Sequence, residues 1–172
     1  ISLISSTNRL GSNSLKVAKH YAQLLENEGA SFELIDLTQL PREIAFSELY
    51  GERSTGYEQD FLQKVDKSDK FVFVIPEYNG GFPGILKVFI DSCPPKYLHH
   101  KKAALVGLAS GAAGALRPMD QFSNILNHLK VNVMGQKPKL SSIESLFNEQ
   151  GVLTDNRALS QLEEHVKQLL SF

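Results

Sequence analysis

The sequence predicts an α/β fold: a three-layer sandwich with a five-stranded parallel sheet between helices. Three observations carry this expectation. Short apolar runs alternate with helical patterns from one end of the chain to the other. The central run, Phe71-Val72-Phe73-Val74-Ile75, is apolar on both faces, as in a strand covered by helices on both sides. Polar or glycine-rich turns follow the first, third and fourth runs. Such alternation implies parallel strands joined by right-handed crossovers.

Taken in order, Ile1 to Ser5 is a short apolar strand. Ser14 to Asn27 is helical, with Leu15, Ala18, Tyr21, Ala22 and Leu25 on one face and Gly29 in place to end it. Phe32 and Leu34 alternate in a second strand, Ser31 to Leu37. Residues 38–56 read as irregular, with Pro41, Gly51 and Gly56; a connection this long is often functional. Tyr57 to Lys67 is a short helix and Lys70 to Ile75 the third strand. Pro83 to Ser92 is a helix with proline in its first turn. Ala103 to Ala109 is the fourth strand. Leu116 to Leu129 is a helix whose stripe is Leu116, Met119, Phe122, Ile125, Leu126 and Leu129. Lys130 to Met134 is a weaker fifth strand. Leu159, Leu162, Val166, Leu169 and Leu170 mark a C-terminal amphipathic helix.

A chain of 172 residues suffices for one domain, expected to span residues 1–172. With 42% hydrophobic and 22% charged residues, it has the balance of a globular protein. A net charge of −1 leaves neither a nucleic-acid footprint nor an acidic tail. No apolar run approaches the ~20 residues of a membrane span. The single cysteine, Cys93, rules out an intrachain disulfide and suits a reducing compartment, so a cytoplasmic location is expected. No signal-peptide pattern is visible. The chain opens on strand-like Ile1-Ser2-Leu3-Ile4, so native residues including the initiator Met are expected to precede it.

Three loops carry the chemistry. Ser5-Ser6-Thr7-Asn8-Arg9-Leu10-Gly11-Ser12-Asn13-Ser14 joins the first strand to the first helix. A helix N-terminus offers unpaired N–H groups and partial positive charge, and here four serines, Thr7, two asparagines and Arg9 are added. This suits a terminal phosphate; simple capping by Ser12 or Asn13 accounts for one such residue, not for the run. The loop lacks the P-loop and dinucleotide fingerprints, which argues against ATP hydrolysis and a dinucleotide-binding Rossmann fold. Pro76-Glu77-Tyr78-Asn79-Gly80-Gly81-Phe82-Pro83-Gly84 follows the third strand. It is either a plain strand-to-helix turn or a platform for a flat ligand. Ala109-Ser110-Gly111-Ala112-Ala113-Gly114-Ala115 follows the fourth strand, and its small residues permit close backbone approach. All three loops follow parallel strands and therefore lie at one sheet edge, where ligands bind in such folds. A flat heterocycle with a phosphate tail, a mononucleotide such as FMN, fits the set.

At this point the residues resemble a family. Ser6 to Ser14 resembles the G-[ST]-x-R-x-x-S phosphate loop of the NADPH-dependent FMN reductases. Pro76-Glu77-Tyr78-Asn79-Gly80, Pro83, Leu86-Lys87 and Ile90-Asp91 resemble that family's P-E-Y-N-x-x-x-P-x-x-L-K-x-x-I-D signature, and Ser110-Gly111 through Gly114 its third, glycine-rich loop. The resemblance runs over nearly the whole chain. It implies a flavodoxin-like fold, strand order 2-1-3-4-5, with FMN between strands one and three. Thr7, Arg9, Ser12, Asn13 and Ser14 would hold the phosphate. Pro76, Glu77, Tyr78, Asn79 and Gly80 would line the isoalloxazine, and Ser110 and Gly111 would approach it from the other side. Ser6 departs from the family's usual glycine, which adds a Cβ at a tight spot.

The implied activity is hydride transfer from NADPH to flavin N5, then electron transfer to a small-molecule acceptor (free flavin, quinone, azo compound or metal oxyanion) by a ping-pong mechanism. No side chain is nominated as catalytic and no metal is expected. A homodimer or homotetramer is implied, with the 38–56 loop, carrying Phe46, Leu49 and Tyr50, as the partner or flavin contact. The competing readings are a flavodoxin-type electron carrier without an NADPH step, which net charge −1 and Arg9 disfavour, and a non-enzymatic flavin-sensing domain. His99-His100-Lys101-Lys102 reads as a solvated turn, and His20, His128 and His165 show no metal-ligand spacing. Cys93 reads as a structural thiol. Arg117 and Lys87 are open between a contact to the NADPH 2′-phosphate and a surface role.

Overall fold

The computed structural model describes residues 1–50 and 53–172; Gly51 of the long connection lies outside them. The strands are β1 (Ser2–Ser5), β2 (Glu33–Asp36), β3 (Lys70–Pro76), β4 (Lys102–Leu108), β5 (Asn132–Val133) and β6 (Lys139–Leu140). The helices are α1 (Asn13–Asn27), α2 (Ile44–Ser47), α3 (Thr55–Tyr57), α4 (Gln63–Lys67), α5 (Gly84–Ser92), α6 (Leu116–His128) and α7 (Asn156–Ser171). The sheet is parallel throughout, in the order β2-β1-β3-β4-β5, and β6 also pairs with β4.

The expected fifth strand, Lys130 to Met134, is shortened to Asn132–Val133, and an additional short strand, β6, follows it. β5 meets the start of β4 (Lys102↔Asn132) and β6 meets its end (Leu108↔Leu140), with residues 134–138 between them. Its expected first residue, Lys130, ends α6 instead. Lys130 takes a left-handed backbone, φ 57°, and the Lys130 and Val131 N–H groups donate to the carbonyls of Asn127 and Leu126. That is a Schellman cap with lysine in the usual glycine place. Gly29 does the same for α1, as its position predicts.

Each face of the sheet has its own core. Alternate residues of β3 divide between them: Phe71, Phe73 and Ile75 face a layer containing α5 and α6, and Val72 and Val74 face α1 and α7. On α1 the buried set is Ser14, Val17, Ala18, Tyr21 and Leu25, so Val17 belongs to the stripe and Leu15 is only half-buried. On α6 Leu116 is 45% exposed and does not join the stripe, because it opens the helix at the sheet edge. The connection after β2 contains a 3-10 turn and α2, so it is not wholly irregular. α3 runs through a π turn (Glu58–Leu62) into α4.

α7 closes the second face. The Tyr21 hydroxyl lies 2.9 Å from His165 Nδ1 and joins α1 to α7 in the interior. At the far end Lys70 Nζ donates to the carbonyls of Leu169 and Leu170 (2.8 and 3.0 Å), and Lys102 donates to that of Phe172. Lys70 and Lys102 are register partners in β3 and β4. The negative end of the α7 dipole offsets their repulsion.

Candidate functional site

A cleft of about 280 Å³ opens at the carboxyl edge of β1, β3 and β4. Three connections wall it: β1 to α1, β3 to α5 and β4 to α6. Strand order reverses direction between β1 and β3, the position where open parallel sheets place their ligands.

The first wall is built around the start of α1. Ser12 is its N-cap, accepting the Leu15 N–H at 3.2 Å. The Asn13 and Ser14 N–H groups have no partner among the described residues. The Ser14 hydroxyl, 1% exposed and lining the cleft, has none either. Buried hydroxyls are ordinarily paired, so an orphan here marks an acceptor-shaped gap. Arg9 supplies a cation at the same place, and Gly11 takes φ 64° to turn the chain into the helix. Ser6 is accommodated without a left-handed backbone. It is fully buried, its N–H donates to Val74 and its hydroxyl to the Ile4 carbonyl.

The second wall begins as an extension of the sheet, with the Glu77 N–H donating to Leu108 at 2.9 Å. Tyr78 turns its ring into the cleft and places its hydroxyl 2.9 Å from Thr7 Oγ1, tying the second connection to the first. Thr7 Oγ1 also accepts the Arg9 N–H. Thr7 therefore supports the wall rather than lining it. Asn79 and Gly80 lie beyond the lining as well. With φ of 50° and 78° they form a two-residue turn, closed by reciprocal bonds between Tyr78 and Gly81. Positive φ at both central residues is the type I′ requirement, which Asn-Gly satisfies. A Cβ at Gly80 would meet no protein atom within 4 Å, so backbone twist, not crowding, calls for glycine.

The third wall holds Ala109 and Ser110, while Gly111 stands outside the lining. Gly114 is close-packed for a different reason than ligand approach. At φ 56° its Cβ would fall 2.8 Å from Lys139 Cβ on β6. Arg117 donates to Glu77 across the second and third walls at 3.4 Å, and Lys87 pairs with Asp91 within α5. Both cations sequence reading left open are thus ion-paired.

Two lining residues, Ile143 and Glu144, come from the segment between β6 and α7, where the sequence shows no motif. Glu144 accepts the Ser110 hydroxyl at 2.8 Å. That bond, then its own backbone N–H, and then the charge of Arg9 hold its carboxyl below the usual range. Cys93 is buried and its thiol is pushed up to about 12 by that burial, which makes it unreactive.

The model of the NADPH-dependent FMN reductase family matches residues 1–143. The chain belongs to that family. Its members are oxidoreductases, and the fold described above agrees with the assignment. An NAD(P)H-dependent FMN reductase of Pseudomonas aeruginosa is 30% identical over 146 residues, covering 82% of this chain and 77% of that protein. An NAD(P)H:quinone oxidoreductase of Solanum tuberosum is 32% identical over 145 residues, covering 78% and 71%. Among solved structures, a flavoenzyme NAD(P)H:(acceptor) oxidoreductase of Paracoccus denitrificans has a TM-score of 0.78 at 22% identity, covering 99% of this chain and 93% of that one. At that identity the likeness speaks to the fold, a flavodoxin-like parallel sheet.

Proposed function

We propose that this chain binds FMN in the cleft and uses it to pass reducing equivalents from NADPH to a small-molecule acceptor. The observation that carries the reading is the unpartnered Ser14 hydroxyl at the N-terminus of α1, within a cleft that also holds Arg9. The residues present fit the group. Two open amides, the Ser14 hydroxyl and a guanidinium form a donor set for a phosphate dianion, assisted by the positive end of α1. Asn13 adds an amide from the same turn, and Ser12 and Thr7 hold the loop in shape. Pro76, Glu77 and Tyr78 offer the flat end a wall tied to the sheet edge, and Ser110 faces it from the third connection. Asn79 and Gly80 form the tight turn of the second connection, and the Gly111 carbonyl accepts the Ser142 N–H in the third.

Bound FMN supplies hydride acceptance at N5 and delivery of two electrons to a quinone, azo compound, free flavin or metal oxyanion in alternating half-reactions. The protein's share is orientation, backbone donors and partial exclusion of water. No titratable side chain need exchange a proton with substrate. We take residues 1–172 as one FMN-binding unit acting in the cytoplasm, where NADPH is at hand and Cys93 stays reduced. No helix among the described residues is long and apolar enough to cross a membrane.

The test is anaerobic. Protein loaded with FMN turns yellow, NADPH bleaches it, and added quinone restores the colour; initial rates with varied NADPH and quinone give parallel reciprocal plots. A yellow protein that NADPH cannot bleach supports an electron carrier, and one that takes up no FMN ends the reading. Phe46 and Tyr50, 87% and 88% exposed, supply the apolar surface for a homodimer or homotetramer. Sedimentation should show the oligomer in the wild type and dissociation when both are replaced by serine.

A further inference from the structure

Two carboxylates line the cleft: Glu77 is ion-paired with Arg117, whereas Glu144 accepts a neutral hydroxyl from the third wall, and its position gives it a use. The 3-10 turn that carries it (Ile143–Leu146) is held against the third wall by two backbone bonds. Ile143 N–H donates to Ala109 at 3.1 Å and Ser142 N–H to Gly111 at 3.3 Å. Ser142 takes φ 48° to aim the turn, and the buried Ile143 side chain anchors it. Glu144 Oε1 accepts the Ser110 hydroxyl of the ring-end connection. Arg9, which supplies the cation of the first wall, lines the same cleft as Glu144. A ligand with a flat ring at one end and a phosphate at the other has its polyol chain in the middle. An ionised carboxylate only accepts hydrogen bonds, at about four lone-pair sites, and Ser110 takes one. Hydroxyls of a polyol are the donors that match the remainder.

We propose that Glu144 reads the polyol segment of the bound flavin, accepting its hydroxyl hydrogens between the ring wall and the phosphate cradle. This rests on the FMN reading above. Charge-assisted hydrogen bonds of this kind are roughly twice as strong as neutral ones. Repulsion between Glu144 and the phosphate is moderated by the Arg9 charge in the same cleft and by salt at this exposed position.

The experiment titrates wild type, Glu144→Ala and Glu144→Gln with FMN, riboflavin, which lacks the phosphate, and lumiflavin, which lacks phosphate and polyol, following flavin fluorescence. Glu144→Ala should weaken FMN and riboflavin by the same factor, about tenfold, and leave lumiflavin unchanged. Glu144→Gln, which keeps an acceptor oxygen without the charge, should fall between. Equal weakening of lumiflavin would reduce Glu144 to a prop for the Ser110 loop. Tighter FMN with unaltered riboflavin would make it only a repulsive charge. Unchanged affinity throughout would remove the assignment. Failure of the wild type to bind any of the three strikes the FMN reading itself, and the polyol assignment with it. The side chain is exposed, so matching thermal melts are expected for both variants.

Discussion

Ser14 sits in the first turn of α1 with a buried hydroxyl that makes no bond among the described residues, so the side chain contributes little to the fold. Ser14→Ala should leave the melting temperature unchanged or slightly raised, because an unsatisfied buried hydroxyl is removed. FMN affinity should fall roughly tenfold or more, the value of one hydrogen bond to a charged group. A titration and a melt on the same sample check both; a lowered melting point with normal affinity would make Ser14 structural. Ser12, two residues earlier, has a structural part as well, since its hydroxyl oxygen caps α1 by accepting the Leu15 N–H. Tyr78 divides the same way. Its ring lines the cleft, while its hydroxyl holds Thr7. Tyr78→Phe keeps the ring and loses a bond worth about 1 kcal/mol. FMN should therefore still bind, with a several-fold faster dissociation rate measured by displacement.

At the scale of elements, the two glycine-bearing connections differ in what requires glycine. Gly80 needs only its left-handed backbone, and alanine there costs about 1–2 kcal/mol. Gly114 combines φ 56° with a Cβ that would overlap β6, for which roughly 2–3 kcal/mol is expected. Urea denaturation of Gly80→Ala and Gly114→Ala should thus rank Gly114 as the more destabilised, and the reverse order would contradict the packing seen at β6. The sequence indicates a small-residue loop after β4 but not its neighbour, because Lys139 lies twenty-five positions on in an edge strand too short to announce itself. The long central strands β3 and β4 were legible for the converse reason, being apolar on both faces over whole runs. The second connection is anchored through Phe82, whose ring packs edge-on against Phe122, which in turn packs on Phe73 of β3. That chain of rings holds the wall carrying Tyr78 to the core.

Over the whole molecule, α7 lies beyond the residues matched by the family model, yet it covers one face of the sheet and buries His165 completely. Burial lowers the His165 pKa to about 4, so the ring stays neutral against Tyr21. Between that value and the ordinary 6.5 the unfolded chain binds a proton that the folded chain refuses. Stability is therefore intact above about pH 6.5 and declines as pH falls toward 4, by at most about 3 kcal/mol. Urea midpoints across that window should show the slope in the wild type and a flatter one in His165→Gln. By itself the sequence determined the alternation of strands and helices, the three connections at one edge and the polar run from Ser5 to Ser14 on which the phosphate proposal rests, because each is a property of neighbours along the chain. Tertiary structure alone decided that the Ser14 hydroxyl has no partner among the described residues, that Glu144 joins Ser110 across 34 positions and that His165 meets Tyr21 across 144. Those pairings are set by how helices pack on a twisted sheet, and local pattern carries no record of which distant side chain completes a buried contact.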